Sequence, residues 1–258
     1  MHSKTFIRPA ALAPIALLAL GAAGVASASD YNEGQWVTTF MAGSGLIPNT
    51  SFNPEVTGNI DGVGTATIDH MEFRDAFKAG PSFSIETGYM TQSNVEPFAR
   101  LSYSQMRGRT TDVGTVRADL LDTTTPINAN FGDMDSWALN VGTRYFFTDR
   151  GPLRTYIAGY LGADRTDALH AHFEIPGLAA ESPREEILPQ ETRFDAGVEG
   201  GVAWQVSNNT DLSLSVGAQY LDPRRDHTDA FAPLGIDEVS FTDPKWSIPV
   251  NFGVNFRF

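Results

Sequence analysis

The chain has 258 residues, 41% of them hydrophobic, and its 31 Asp and Glu residues outnumber 18 Lys and Arg residues, for a formal net charge of −13. Because nucleic-acid phosphates attract the opposite sign of charge, this composition argues against nucleic acid as a partner. Cysteine is absent, which excludes a disulfide framework, thiolate catalysis and metal sites built from cysteine.

The first 28 residues have the features of a secretory signal peptide. Lys4 and Arg8 form a short positive region, an apolar run follows over 9–25, and a small-residue cleavage site of the A-x-A kind ends at Ala28. The apolar run is shorter than the roughly 20 residues that a membrane-spanning helix needs. We therefore expect residues 1–28 to be removed and residues 29–258 to form one domain.

The rest of the chain contains eight stretches in which apolar and polar residues alternate. Such alternation sends successive side chains to opposite faces of a β-strand. Each stretch is about ten residues long, which is the length of a tilted membrane-spanning strand. The predicted strands are 36–44, 82–90, 95–105, 137–147, 153–163, 193–205, 212–220 and 246–258. The first of them has the least regular alternation.

The last predicted strand has the most regular pattern. Its even positions, from Trp246 to Phe258, are all apolar or aromatic, whereas its odd positions include Asn251, Asn255 and Arg257. A continuous apolar face with aromatic ends is typical of a strand in contact with lipid. We therefore expect the even residues to face lipid and the odd residues to face the lumen of a closed barrel.

The predicted connections fall into two length classes. Short turns rich in Asn, Asp, Gly and Pro alternate with long connections near residues 45–80, 107–135, 165–190 and 222–245. This arrangement is typical of the periplasmic and extracellular ends of an outer-membrane barrel, and Trp and Tyr residues near both strand ends would form two aromatic girdles. A secreted β-sandwich would also alternate, but it would not explain the two length classes.

The sequence therefore predicts an all-β fold. We expect an eight-stranded antiparallel up-and-down transmembrane β-barrel with short periplasmic turns and four long extracellular loops. The expected location is the outer membrane of a Gram-negative bacterium.

Several short motifs resemble one known family. They are Met41-Ala42-Gly43-Ser44 with Ile47-Pro48, Tyr89-Met90-Thr91, Asp243-Pro244-Lys245-Trp246 and the closing Asn255-Phe256-Arg257-Phe258. In these motifs the chain resembles the eight-stranded outer-membrane barrel superfamily that includes OmpA and OmpW. The motifs mostly encode barrel geometry, so the resemblance implies the architecture and not the subfamily. We expect no counterpart of the peptidoglycan-binding domain found in full-length OmpA proteins.

The predicted inward faces carry charged residues. They are Glu86, Arg100, Arg144, Arg154, Asp164, Arg193, Asp195, Glu199 and Arg257. Because the interior of an eight-stranded barrel is filled by side chains and isolated buried charges are costly, opposite charges must pair there. We take Glu86, Arg100, Arg144, Glu199 and Arg257 as a candidate lumen charge network. It would act either as a polar plug or as a gate whose ion pairs exchange partners.

The histidines argue against catalysis on the barrel wall. His70, His170, His172 and His227 all fall in the long connections, whereas a barrel lipid-A hydrolase would need its serine and histidine on the wall. His170 and His172 would point the same way only on a strand, where they could form a metal pair. Asp226 and His227 resemble the Asp–His pair of outer-membrane proteases, which need a wider barrel. We predict no enzyme activity, cofactor or metal site.

Most acidic residues fall in the long connections. They either keep exposed loops soluble or bind Ca²⁺ or Mg²⁺ that bridges to lipopolysaccharide phosphates, since hard cations prefer oxygen ligands. The third long connection also contains apolar residues, which either line a mouth for a hydrophobic solute or form a small core. These residues are Leu169, Phe173, Ile175, Leu178, Ile187 and Leu188.

The predicted function is that of a non-enzymatic outer-membrane barrel, which supports the envelope or gives slow passage to small or hydrophobic solutes. The alternative is a surface interaction protein, either an adhesin or a receptor for phage or bacteriocin, that acts through its acidic loops. Expected partners are outer-membrane lipid, lipopolysaccharide and the barrel-assembly machinery, which would recognise the C-terminal strand ending at Phe258.

Overall fold

The computed structural model describes residues 33–46, 50–60, 64–118, 123–148, 151–176, 180–181, 184–228, 236 and 239–258. The predicted signal peptide lies outside these residues. Among them, no helix is long and apolar enough to cross a membrane. The described elements are β1 (Trp36–Leu46), β2 (Ser51–Asn53), β3 (Val56–Ile60), β4 (Gly64–Ile68), β5 (Met71–Glu72), α1 (Phe73–Ala76), β6 (Phe77–Tyr89), β7 (Val95–Gly108), β8 (Thr110–Ala118), β9 (Thr123–Phe131), β10 (Met134–Phe146), β11 (Leu153–Thr166), β12 (Leu169–Ile175), β13 (Ala180–Glu181), β14 (Glu185–Leu188), β15 (Glu191–Ser207), β16 (Thr210–Leu221), β17 (Arg225–Thr228), β18 (Val239–Thr242) and β19 (Trp246–Arg257).

Eight long strands close into an antiparallel barrel. Their order around the ring is β1-β19-β16-β15-β11-β10-β7-β6, with β6 returning to β1. The eight predicted strands are confirmed, and most extend further than the alternation indicated. The seam between the first and last strands is continuous from Val37 opposite Arg257 to Leu46 opposite Ile248. The least regular predicted strand is therefore correctly placed.

The outer surface of the barrel is an apolar belt. Large outward side chains such as Leu139, Val198 and Phe252 are 62%, 57% and 44% exposed, respectively. Aromatic pairs border this belt at both ends. They are Trp36 with Tyr89 at the end with the short turns, and Tyr103 with Trp137 and Tyr220 with Trp246 at the other. An apolar band between two aromatic girdles matches the profile of a bilayer.

In the described part of the chain, the four long connections form further secondary structure. They contain β2–β5, α1, β8, β9, β12–β14, β17 and β18, which we call the cap, and the barrel ends are accordingly the cap end and the turn end. A seven-stranded sheet runs β13-β12-β9-β8-β4-β3, with β14 also paired to β12. Since β4 pairs with β8 and β9 pairs with β12, this sheet joins three different connections.

A large apolar core lies inside the cap. Phe52 is 1% exposed, and its ring contacts those of Phe73, Phe77, Phe131 and Phe241 at centroid distances of 5.0 to 5.7 Å. The core also buries the described apolar residues of the third connection, namely Leu169, Phe173, Ile175, Ile187 and Leu188. These residues therefore pack a core and do not line a solute mouth, while Leu178 lies outside the described residues.

Candidate functional site in the barrel lumen

Strand periodicity sends four of the five candidate residues into the middle of the lumen. Glu86, Arg100, Arg144 and Glu199 lie on β6, β7, β10 and β15, and each residue is at most 5% exposed. On adjacent strands, Glu86 and Arg100 are direct cross-strand partners. The other contacts join strands that are not neighbours, so they cross the lumen.

Arg100 binds two carboxylates at once. Its Nε donates to Glu86 Oε2 at 2.9 Å. Its Nη1 and Nη2 donate to Glu199 Oε2 and Oε1 at 3.1 and 2.8 Å, which is a bidentate pair. Such paired, charge-assisted hydrogen bonds hold both side chains in a defined geometry. Arg100 therefore ties β6 and β7 to β15 through the interior.

Arg144 connects the same network to a residue that the sequence analysis missed. Its Nη2 donates to Glu86 Oε1 at 2.7 Å, and its Nη1 donates to Glu96 Oε2 at 3.0 Å. Glu96 is 1% exposed and lies opposite Arg144 on β7. It shares the inward parity of Arg100, and this is the signal that would have identified it. The network thus contains three carboxyl groups and two guanidinium groups.

Aromatic rings fill the lumen around the two arginines. The guanidinium carbon of Arg100 lies 5.1 Å from the ring centroids of both Phe98 and Tyr160, and that of Arg144 lies 4.8 Å from the centroid of Tyr156. These are cation–π distances, and they favour the charged form of the side chain in a closed space. The rings also occupy the volume through which a solute would pass.

Inward glycines make room for these rings. A Cβ atom at Gly197 would lie 2.4 Å from Tyr160 Cζ, and one at Gly201 would lie 2.5 Å from Tyr156 Cζ. Real Cβ atoms do not come this close, so a larger residue at either position would displace the ring. Glycine is used here for close approach, and the result is a tightly packed lumen.

Arg257 does not join the central network. Its Nη2 donates to Asp211 Oδ1 at 3.2 Å near the turn end of the barrel. Arg154 lies at the same end, where its Nε donates to Thr148 O at 2.9 Å and its guanidinium covers the ring of Phe146 at 4.0 Å. These contacts lie at the turn end of the lumen, apart from the central network.

A third group of charges closes the cap end. Arg193 Nη1 donates to Asp243 Oδ2 at 3.0 Å, and Arg224 Nε donates to the same oxygen at 2.7 Å. Arg193 Nη2 also approaches Asp164 Oδ1 at 3.4 Å. We call these four residues the latch because they join β11 and β15 of the barrel to the fourth connection. The alternation pattern predicts Arg193 and Asp164 in the lumen, but it gives no signal for Arg224 and Asp243, which lie in a long connection.

A polar cavity of about 80 Å³ lies between the central network and the latch. Among its lining residues are Ser84, Ser102, Ser136, Asn140, Gln219 and Asn251. Asp195 lies beside it and accepts hydrogen bonds from Asn140 Nδ2 at 2.7 Å and Gln219 Nε2 at 3.0 Å. The cavity has the size and polarity to hold a few water molecules. Arg100 of the central network and Asp164 of the latch are also among its lining residues.

The histidines of the long connections lie in the cap. His170 and His172 lie two residues apart on β12 of the cap, and His170 Nε2 is 3.8 Å from Glu186 Oε2. No group of three His, Cys, Asp or Glu side chains that could hold a metal occurs in the described part of the chain. His70 Nδ1 contacts the backbone oxygen of Asn53 at 2.8 Å. The side chain of His227 lies outside what the structure describes.

No protein-family model matches the chain, and no curated protein matches it. Three of the solved structures that are similar to it serve as examples. They are Neisserial surface protein A (17% identity, TM-score 0.41, covering 90% of this chain and 99% of that one), OprG from Pseudomonas aeruginosa (13%, 0.46, 88% and 97%) and Ail, the attachment invasion locus protein of Yersinia pestis (13%, 0.38, 88% and 99%). Similarities at this level say nothing about a shared function.

The molecule itself defines its class. Its eight strands form a closed ring, its apolar belt lies between two aromatic girdles, and its charged side chains pair inside. These are the features by which a barrel pairs all of its backbone hydrogen-bonding groups and buries its outer surface in lipid. The chain is therefore an eight-stranded antiparallel β-barrel of the outer membrane.

Proposed function

We propose that the protein is a sealed, non-enzymatic barrel that holds a rigid β-structured cap at the cell surface, where the cap supports the envelope and binds other surfaces. The observation that carries this proposal is the buried core of the cap, in which Phe52 contacts four other phenylalanine rings. Connections that served only as solvated loops would not need a shared core. A folded cap offers a defined surface for recognition.

The closed lumen supports the same proposal. The central network crosses the interior, and paired charges also lie at both ends of the lumen, with Arg257 and Asp211 at the turn end and the latch at the cap end. Each group consists of side chains with direct partners, and aromatic rings surround the two arginines of the central network. A freely diffusing polar solute would have to break buried ion pairs, and breaking one such pair costs several kcal/mol, about 3 to 5.

The proposed orientation places the turn end in the periplasm and the cap outside. Treating intact cells with a protease tests this orientation: we expect the protease to cleave the cap and to leave the barrel uncut. Adhesion to cultured epithelial cells would then be compared between bacteria that produce the wild type and bacteria that produce a variant with a disrupted cap, Phe52→Ala. Equal adhesion of the two strains, at equal surface levels, would count against recognition through the cap.

Conductance in planar bilayers tests the sealed lumen directly. We expect the wild type to show no steady conductance, because the buried ion pairs that cross the lumen would have to break. The variant Glu86→Ala, which removes a carboxylate of the central network, is measured beside the wild type. Thr87→Ala is its control, because Thr87 is on the lipid-facing side of the same strand. Steady conductance of the wild-type protein would overturn the proposal of a sealed barrel.

Gated passage of small solutes is the second candidate function. One observation favours it: Glu86 is shared by both arginines, and Arg144 Nη2 lies 3.7 Å from Glu199 Oε1, close enough to exchange partners. Partner exchange of this kind would open a path without leaving a charge unpaired. It predicts brief conductance steps in the wild type that become longer in Glu86→Ala. If neither protein conducts, the gate is excluded.

A further inference from the structure

Two cations face each other on the outer wall near the cap end. Lys78 on β6 and Arg107 on β7 are direct cross-strand partners, and both are exposed. Their neighbours Phe77 and Met106 point the other way, toward the core of the cap. Like charges in directly opposed positions destabilise a sheet, so this pair needs another reason to be there.

Two further arginines extend this pair. Arg109 N donates to Ala76 O, and Arg109 Nη1 donates to Arg74 O at 3.1 Å, so both arginines lie next to Lys78 and Arg107. We call Arg74, Lys78, Arg107 and Arg109 the basic rim. Arg74 pairs with Glu72 at 2.7 Å, while within the described residues no ion pair is formed by the other three. This concentration of positive charge occurs on a chain whose net charge is −13.

The basic rim lies just beyond the aromatic girdle. Tyr103 on β7 belongs to the girdle row with Phe83 and Trp137. Arg107 is four residues further along the same strand, which is roughly 13 Å along a β-strand and less in height because barrel strands are tilted. This distance corresponds to the layer of lipid headgroups. Acidic side chains near the basic rim have other partners. Asp133 Oδ1 accepts a hydrogen bond from Gly108 N at 3.0 Å, and Asp135 Oδ1 accepts hydrogen bonds from Tyr103 and Gln105.

We propose that the basic rim directly binds the phosphate groups of an outer-leaflet glycolipid. This inference rests on the proposed orientation, in which the cap end faces the cell exterior. Guanidinium and ammonium groups at headgroup depth are the chemistry that recognises lipid phosphate, and an arginine can bind it through two parallel hydrogen bonds. Acyl chains of the same molecule would lie against the apolar belt below, at side chains such as Ile85 and Leu101. A soluble phosphate would lack that second contact.

Lipid retention measured by native mass spectrometry tests the proposal. The probes are bis-phosphorylated lipid A and the same lipid with both phosphates removed, each presented in mixed detergent micelles. We expect the wild type to retain the phosphorylated lipid preferentially. Lys78→Gln should lower this preference several-fold, and Lys78→Gln/Arg107→Gln should lower it about tenfold or more, given the contribution of each basic residue near anionic lipid.

Lys245→Gln is the matched control. Lys245 precedes Trp246 of the same girdle level, but it adjoins β19, three strands away from β7 around the ring. This control should retain the wild-type preference. An equal loss in the control and in Lys78→Gln, or no discrimination between the two lipids by the wild type, would overturn the proposal. Retention that is lost in EDTA would also overturn it, because direct contacts need no divalent cation.

The stability of the variants distinguishes binding from a structural role. Because the double substitution removes repulsion between opposed cations, we expect it to unfold in lipid-free detergent at the same temperature as the wild type or slightly higher. A lower unfolding temperature would indicate that the pair is structural. Micelles have no sidedness, so these measurements do not depend on the orientation. Protease treatment of intact cells tests the orientation separately, so the lipid-binding proposal and the proposed orientation can fail independently.

Discussion

Arg100 and Glu199 form a bidentate ion pair across the barrel, with Nη1–Oε2 and Nη2–Oε1 distances of 3.1 and 2.8 Å. They lie on β7 and β15, which are separated around the ring by β10 and β11. The contact therefore acts as a strut through the interior and not as part of the wall. Both side chains are buried, so neither can exchange its partner for bulk water without a large desolvation cost.

Removal of this strut should destabilise the barrel. Glu199→Ala leaves Arg100 with Glu86 alone, and we expect the free energy of unfolding to fall by about 3 kcal/mol, as for other broken buried pairs. Urea unfolding in lipid vesicles, followed by tryptophan fluorescence, measures this change. The control Glu191→Ala removes an exposed carboxylate from the same strand and should change stability by less than about 0.5 kcal/mol. Equal effects of the two substitutions would contradict the role assigned to the strut.

A single methyl group should disturb the aromatic packing of the lumen. In Gly197→Ala the new Cβ would lie 2.4 Å from Tyr160 Cζ, and displacing the ring should cost about 1 to 3 kcal/mol. Gly200→Ala provides the control, because its Cβ faces outward with its nearest neighbour, Tyr156 O, at 3.9 Å. We expect no loss of stability there. Urea unfolding in lipid vesicles measures both variants. An unchanged free energy of unfolding in Gly197→Ala would show that the ring of Tyr160 is free to move.

Disruption of the cap core should leave the barrel intact. Phe52→Ala removes a ring that is 1% exposed, and such core truncations cost about 3 to 5 kcal/mol. Amide hydrogen exchange should then accelerate in β8, β9 and β12 and remain slow in the middle of β10 and β11. The exposed Glu55→Ala is the control. Equal acceleration in barrel and cap would mean that the two fold as one cooperative unit.

The last residue should matter for assembly more than for stability. Phe258 is 75% exposed, and its backbone exchanges two hydrogen bonds with Trp36 that do not depend on the side chain. If the barrel-assembly machinery recognises this aromatic end, Phe258→Ala should lower the amount of protein in the outer membrane several-fold. Its free energy of unfolding in vitro should change by less than about 1 kcal/mol. Phe252→Ala, also outward on β19, should assemble normally, and equal amounts of all three proteins would contradict recognition at Phe258.

Divalent cations provide a separate test of the acidic cap. If Ca²⁺ or Mg²⁺ bridges cap carboxylates to lipopolysaccharide phosphates, chelation should lower the melting temperature by several degrees in membranes that contain lipopolysaccharide. In detergent without lipopolysaccharide, chelation should have no effect. An unchanged melting temperature in both media would leave solubility as the role of these carboxylates.

The sequence by itself determined the strands and the side to which each residue points. Period-two alternation is a local property of the backbone, so the positions of the strands and the inward parity of Glu86 and Arg100 follow without knowledge of the fold. The aromatic girdles follow for the same reason. Similar alternation, Leu169-His170-Ala171-His172-Phe173, also occurs within the third connection, where β12 forms. Its shorter length made it resemble a loop.

Only the tertiary structure decided which charges meet. Arg100 and Glu199 are 99 residues apart in sequence, and their contact depends on the register of the four strands from β7 to β15 around the ring. The same register brings Glu96 to Arg144, and it pairs Arg257 with Asp211 away from the central network. The cap likewise depends on pairing between separate connections, as in β4 with β8. The local sequence contributes little to the stability of such short strands. Burial of a shared core, centred on residues such as Phe52, stabilises them.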